Sequence, residues 1–143
     1  TRDHHIPLVP NFCRRLTMAL ASVSIGDSVK IGPGLLLNHG QVIIDGTTII
    51  GALCNVAPFV TIGLNTGGPD ASLMGPGIGR NVFIGTGAKI LGPVTIGHNA
   101  RIGANAVVMS DVPENCTAVG IPARIIPHDG VLGPAMKRTP PAG

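Results

Sequence analysis

The chain has 143 residues, 44% of them hydrophobic and only 12% charged, with a net charge of +3. That length sets one domain as the expectation, and the apolar share excludes disorder over most of it. Three Phe without Trp or Tyr, and no basic block longer than Arg14-Arg15, exclude a stacking platform for single strands and a nucleic-acid footprint.

Residues 1–22 read as an N-terminal segment. Residues 1–10 are irregular around Pro7 and Pro10, and Asp3, His4 and His5 read as a solvated terminus. Residues 11–21 predict a short helix, with Asn11 as its cap and Phe12, Leu16 and Leu20 on one face. That face is placed to cover the open end of the repeat that follows. The first residues are polar, so no secretory leader is expected, and no run is long and apolar enough to span a membrane. Cys13, Cys54 and Cys116 are odd in number and far apart. They argue against a disulfide framework or a zinc site and fit a reducing, cytoplasmic compartment.

Residues 23–126 carry a repeat of six. Ile78, Ile84, Ile90, Ile96, Ile102 and Val108 keep strict phase. The same period runs earlier as Ile25, Ile31, Leu37 and Ile43, slips by one residue, and resumes as Ile50, Val56 and Ile62. Gly often follows the aliphatic, and small or branched residues such as Cys54, Val60, Val82, Ala88, Ala100 and Ala106 precede it by two. Six matches neither the helical period of 3.6 nor the strand period of 2, but it matches a hexapeptide β-helix. Each aliphatic points into a narrow prism, and Gly or Asn takes the turn dihedrals. Three hexapeptides close one coil, so these rungs predict a little over four coils. Segment 64–77 interrupts the period and reads as a protruding loop. Residues 127–143, rich in Pro and Gly, read as a flexible tail containing His128.

The outlying side chains have plain readings. His98 occupies a turn slot that takes Asp, Asn or His. Cys54 reads as an inward core residue, and Cys116 as an inert residue in a turn slot. Lys89 and Arg101 read as a solvated face, with the phosphates of an anionic ligand as their other use. The aliphatics Leu36, Ile44, Ile49, Leu53 and Leu91 fall outside the repeat slots and predict flat apolar faces that a homotrimer would bury.

The stretches GPGLLLNHG, VTIG, IGTGAKILGPVTIGHNARIGANAVV and DVPENCTAVGIPARII resemble the serine acetyltransferase group of hexapeptide acyltransferases over roughly 23–126. The resemblance implies an all-β, left-handed parallel β-helix with a short N-terminal helix and an irregular C-terminal tail. It implies an acetyl-CoA-dependent O-acetyltransferase, with sites between the subunits of a trimer and no metal. His39 matches the general base. Thr86, Gly87, Ala104 and Gly120 match positions that line the coenzyme arm, with Arg124 near its exit. Asn38 falls to the acceptor side, and Asp70 in the 64–77 loop reads as a turn former first and an acceptor-side residue second. The group has Asp where Asn38 stands, Asp where Ser24 stands, and His where Gly75 stands. The coenzyme half is thus kept and the acceptor half altered, which points to a small hydroxyl-bearing acceptor. An N-acetyltransferase acting on an amino sugar and a non-catalytic, coenzyme-binding or scaffolding trimer are the alternatives. A neutral His suits the base role at pH 7, and a carbonyl, Ser24, Asp45 or Asp70 would hold its ring.

Overall fold

The computed structural model describes residues 8–67, 69 and 73–128. The Asp3–His5 cluster, Asp70 and the segment beyond His128 lie outside them. The chain winds through three short strands per coil. The first coil holds β1 (Val23–Ile25), β2 (Lys30–Ile31) and β3 (Leu36–Leu37). The second holds β4 (Val42–Ile44), β5 (Ile49–Ile50) and β6 (Asn55–Val56). The third holds β7 (Thr61–Gly63), β8 (Gly77–Ile78) and β9 (Phe83–Ile84), and the fourth holds β10 (Lys89–Leu91), β11 (Thr95–Ile96) and β12 (Arg101–Ile102). β13 (Val107–Val108), a parallel bridge from Val112 to Ile96, and β14 (Cys116–Val119) make a fifth. The solenoid is therefore longer than the sequence period alone predicts, because the last coil leaves the six-residue phase.

Stacked coils give three parallel sheets: β1-β4-β7-β10-β13, β2-β5-β8-β11, and β3-β6-β9-β12-β14. We call them the first, second and third sheets, and name each edge by the sheets it joins. β15 (Arg124–Pro127) turns back antiparallel onto β14 after the cis Ile121–Pro122 bond.

One inward column per sheet forms the core. Ile44, Ile62, Ile90 and Val108 line the first sheet, Ile50, Ile78 and Ile96 the second, and Val56, Ile84 and Ile102 the third. Each fully buried Ile contributes about 1.5–3 kcal/mol by leaving water. The small slots Cys54, Val60, Val82, Ala88, Ala100 and Ala106 are buried as expected.

The phase of the second coil differs from the sequence reading. Ile43 is 47% exposed and Ile44 is fully buried. Strand register explains it: Ile25 pairs Ile44, whereas Ser24 pairs Ile43. The slip falls at the corner Asn38–Gln41, where seven residues separate Leu37 from Ile44 instead of six. Ile44 is thus core, not an outward face. Leu36, Ile49 and Leu53 are exposed, and Leu91 is half-buried.

Glycine also acts differently from expectation. The Gly directly after the aliphatic does not carry the left-handed turn. At Gly85 a Cβ would lie 2.7 Å from the Ala104 nitrogen and 2.9 Å from the Ile102 oxygen, so close coil contact requires it. Left-handed φ falls two residues later, at Gly87 and at Asn81, Asn99 and Asn105, and in the last coil at Asn115. Asn tolerates that conformation. The Asn81 amide donates to Asn99 (2.9 Å), and the Asn99 amide donates to Asn115 (3.2 Å), forming a ladder along one edge.

The helix α1 (Leu8–Ala21) begins before Asn11, which lies inside it and caps nothing. It does not cover the open end. Every residue from Val9 to Ala21 is exposed, Leu20 at 79%. Its last turn joins the solenoid through the Gln41 N–H to Ala21 oxygen bond (3.3 Å), and Arg14 pairs with Asp27 at 3.6 Å. Among the described residues no helix is long and apolar enough to cross a membrane.

Candidate functional site

The corners that run from the third sheet into the first form one edge. They are Asn38–Gln41 after β3, Pro58–Phe59 after β6, Thr86–Gly87 after β9, Ala104–Asn105 after β12, and Gly120 after β14. Parallel strands lie about 4.8 Å apart, so Thr86 stands roughly 10 Å along the edge from His39, and Gly120 roughly 19 Å. Four of the five coenzyme-side positions named from sequence, Thr86, Gly87, Ala104 and Gly120, thus share an edge with His39. Arg124, the fifth, opens β15 opposite Val119 and is exposed beside that edge.

The edge is held by backbone bonds. The Gly87 N–H donates to the Pro58 oxygen (3.0 Å), and the Asn105 N–H donates to the Thr86 oxygen (2.8 Å). Its side chains are small at Gly87, Ala104 and Gly120, which leaves room for an extended ligand arm.

His39 sits in the one corner that carries the extra residue. It is exposed, and among the described residues nothing hydrogen-bonds its ring. Beside it the Asn38 amide donates to Asn55 Oδ1 (2.9 Å), a partner that sequence reasoning missed. Ser24 lies on the first sheet next to Ile43 and makes no bond to His39. Asp45 stands at the opposite edge of the first sheet, where its Oδ1 accepts the Gly46 N–H (2.7 Å). Among the described residues, then, neither carboxylate nor hydroxyl holds the imidazole. Gly75 has no room for a side chain: a Cβ would meet Thr48 Oγ1 at 2.5 Å and its backbone N at 2.8 Å. Asp70 lies outside the described residues.

Three other expectations change. Lys89 is half-buried rather than solvated, and its ammonium is bonded to two backbone carbonyls. His128 is half-buried, not solvated: its Nε2 bonds Thr117 Oγ1, and its N–H donates to the Asn115 oxygen (2.9 Å). Cys116 opens β14 with its side chain buried, so it fills a core slot rather than a turn. His98 is a corner residue as expected. Its Nδ1 accepts the Arg80 N–H at 2.8 Å, so the neutral ring carries its proton on Nε2.

A groove of about 550 Å³ lies on the second sheet, lined by Ile49, Gly77, Thr95, His98, Asp111 and Glu114. It is away from His39, so this groove is not where the sequence-derived site falls. Among the described residues no group of three His, Cys, Asp or Glu side chains is placed to hold a metal.

Residues 75–110 match the bacterial transferase hexapeptide (six repeats) family. The chain is 40% identical over 130 residues to the serine acetyltransferase of Synechococcus elongatus, covering 90% of this chain and 52% of that protein. It is also 40% identical over 116 residues to the serine acetyltransferase of Helicobacter pylori, covering 80% of this chain and 67% of that one. A serine acetyltransferase solved in complex with CoA superposes with a TM-score of 0.73 at 34% identity, covering 81% of this chain and 47% of that one. The chain spans about half the length of the first of these relatives and of the solved structure.

Proposed function

The chain belongs to the serine acetyltransferase family, and from that premise we propose that it transfers acetyl from acetyl-CoA to the hydroxyl of a small acceptor. The observation that carries this reading is the edge itself. It aligns an exposed imidazole with the corners of Gly87, Ala104 and Gly120, the last roughly 19 Å away, with the exposed Phe59 corner between them and His39.

In the proposed step His39 accepts the acceptor's hydroxyl proton as the oxygen attacks the thioester carbonyl. The tetrahedral oxyanion collapses, the C–S bond breaks, and the CoA thiolate takes up a proton. A backbone N–H of a corner is suited to the oxyanion. Loss of an orienting acid costs orders of magnitude in triads. An imidazole without a partner among the described residues therefore favours a site completed by a second copy. The exposed apolar residues Leu36, Ile49 and Leu53 support a homotrimer. Asp45, at the other edge of the same sheet, is the residue a neighbouring copy would offer.

Serine is the first acceptor to try, because the relatives are named for it. Asn38, Ser24 and Gly75 favour a different hydroxyl compound, and amino sugars belong in the same panel. Coenzyme binding without turnover is the second reading, favoured by the unpartnered ring.

Thiol release from acetyl-CoA across that panel tests the proposal. Acceptor-dependent release that falls at least about a hundredfold in His39→Ala supports the base role. Release unchanged in the variant removes His39 from the mechanism. Tight CoA binding without release for any acceptor favours the second reading. Sedimentation of the same preparation as a stable monomer would sink the shared site.

A further inference from the structure

Lys89 stands on the outer face of the first sheet, paired in register with Thr61 and Val107. Such a lysine ordinarily extends its head into water. This one folds back over the edge instead. Its Nζ donates to the Phe59 oxygen at 2.8 Å and to the Gly87 oxygen at 3.0 Å. Those oxygens belong to equivalent left-handed residues of successive corners, with φ +62° and +74°. Among the described residues no other Lys or Arg side chain hydrogen-bonds a corner carbonyl in this way. Bonds from a charged donor are roughly twice as strong as neutral ones. Lys89 therefore fixes the height of the Thr86–Gly87 corner against the coil before it, with two of its three protons already committed.

We propose that Lys89 is a positioning residue for the coenzyme: it holds the Thr86–Gly87 corner in the shape along which the acyl-coenzyme arm lies, and does not itself touch a coenzyme phosphate. The proposal rests on the reading of this edge as the coenzyme track.

Calorimetric titration of the full chain with CoA tests it, using the parent, Lys89→Met, Lys89→Arg and Ala104→Leu. Lys89→Met is expected to weaken CoA about tenfold, the size of one or two lost charged bonds. Lys89→Arg, which keeps charge and donors, is expected to lose less than about threefold. The dependence of Kd on salt stays parallel to the parent's in Lys89→Met, because no charge–phosphate contact is lost. In turnover the loss falls on KM for acetyl-CoA, with kcat within about twofold.

A flattened salt dependence in Lys89→Met would mean direct phosphate contact and overturn the proposal. So would unchanged affinity in Lys89→Met while Ala104→Leu abolishes binding; there the edge reading survives and Lys89 is idle. Unchanged affinity in Ala104→Leu removes the edge reading and the role of Lys89 with it. If Lys89→Met lacks a cooperative melt, Lys89→Gln takes its place under the same criteria.

Discussion

Ile31 and Ile50 fill the same inward slot one coil apart, paired in register, yet Ile31 is 39% exposed and Ile50 is 1% exposed. The sequence around each is equivalent. The difference is stacking. Ile50 has a coil on both sides, whereas Ile31 has one side open because α1 does not lie over it. A hexapeptide repeat thus specifies where an aliphatic points, and neighbouring coils specify how deeply it is buried. His39 belongs to this least covered coil, so the residue proposed as base lies in the least buried part of the repeat.

Denaturant midpoints of paired variants sharpen the contrast most. Ile90→Ala is expected to lose about 3–5 kcal/mol, as fully enclosed Ile truncations do. Ile31→Ala is expected to lose about 1 kcal/mol, because much of that side chain is already wet. Equal losses in urea would show that the first coil is covered in solution and break the comparison.

A smaller effect separates two glycines. Gly85→Ala places its methyl against the backbone of the next coil and is expected to cost about 1–3 kcal/mol. At Gly77 a Cβ meets nothing within 4 Å, so Gly77→Ala should stay within about 0.5 kcal/mol in the same melts.

The smallest effect is read by thiol labelling. Cys13 on the exposed helix should alkylate in the native state, whereas Cys54 and Cys116 wait for denaturant. Burial pushes the Cys54 thiol above its ordinary 9.0, only partly offset by backbone bonds to Val82 and Asn81. Folding favours its neutral form, so this contribution is complete below about pH 9 and is lost as pH rises through the folded value. Native labelling of Cys54 at the rate of Cys13 near pH 8 would contradict it.

The fold was legible because a period of six has few structural solutions. The slip was not. Val42, Ile43 and Ile44 are all aliphatic, so composition fits either phase, and only the pairing of Ser24 with Ile43 decides. The site was half legible. Motif residues named the edge, since corners recur in register. The partners of Lys89 were hidden because they are backbone carbonyls, which every residue carries. The missing partner of His39 was hidden for the opposite reason: in this chain's described residues there is none.

If the edge is the proposed coenzyme track, its repeated corners also act as a ruler. The span from His39 to Gly120 is set by a whole number of coils, each worth about 4.8 Å, and not by any single side chain. Removing or adding one complete turn would change that reach by one graduation while leaving both ends chemically intact. A solenoid can therefore adjust the length of ligand it measures in discrete steps, without redesigning what it holds at either end.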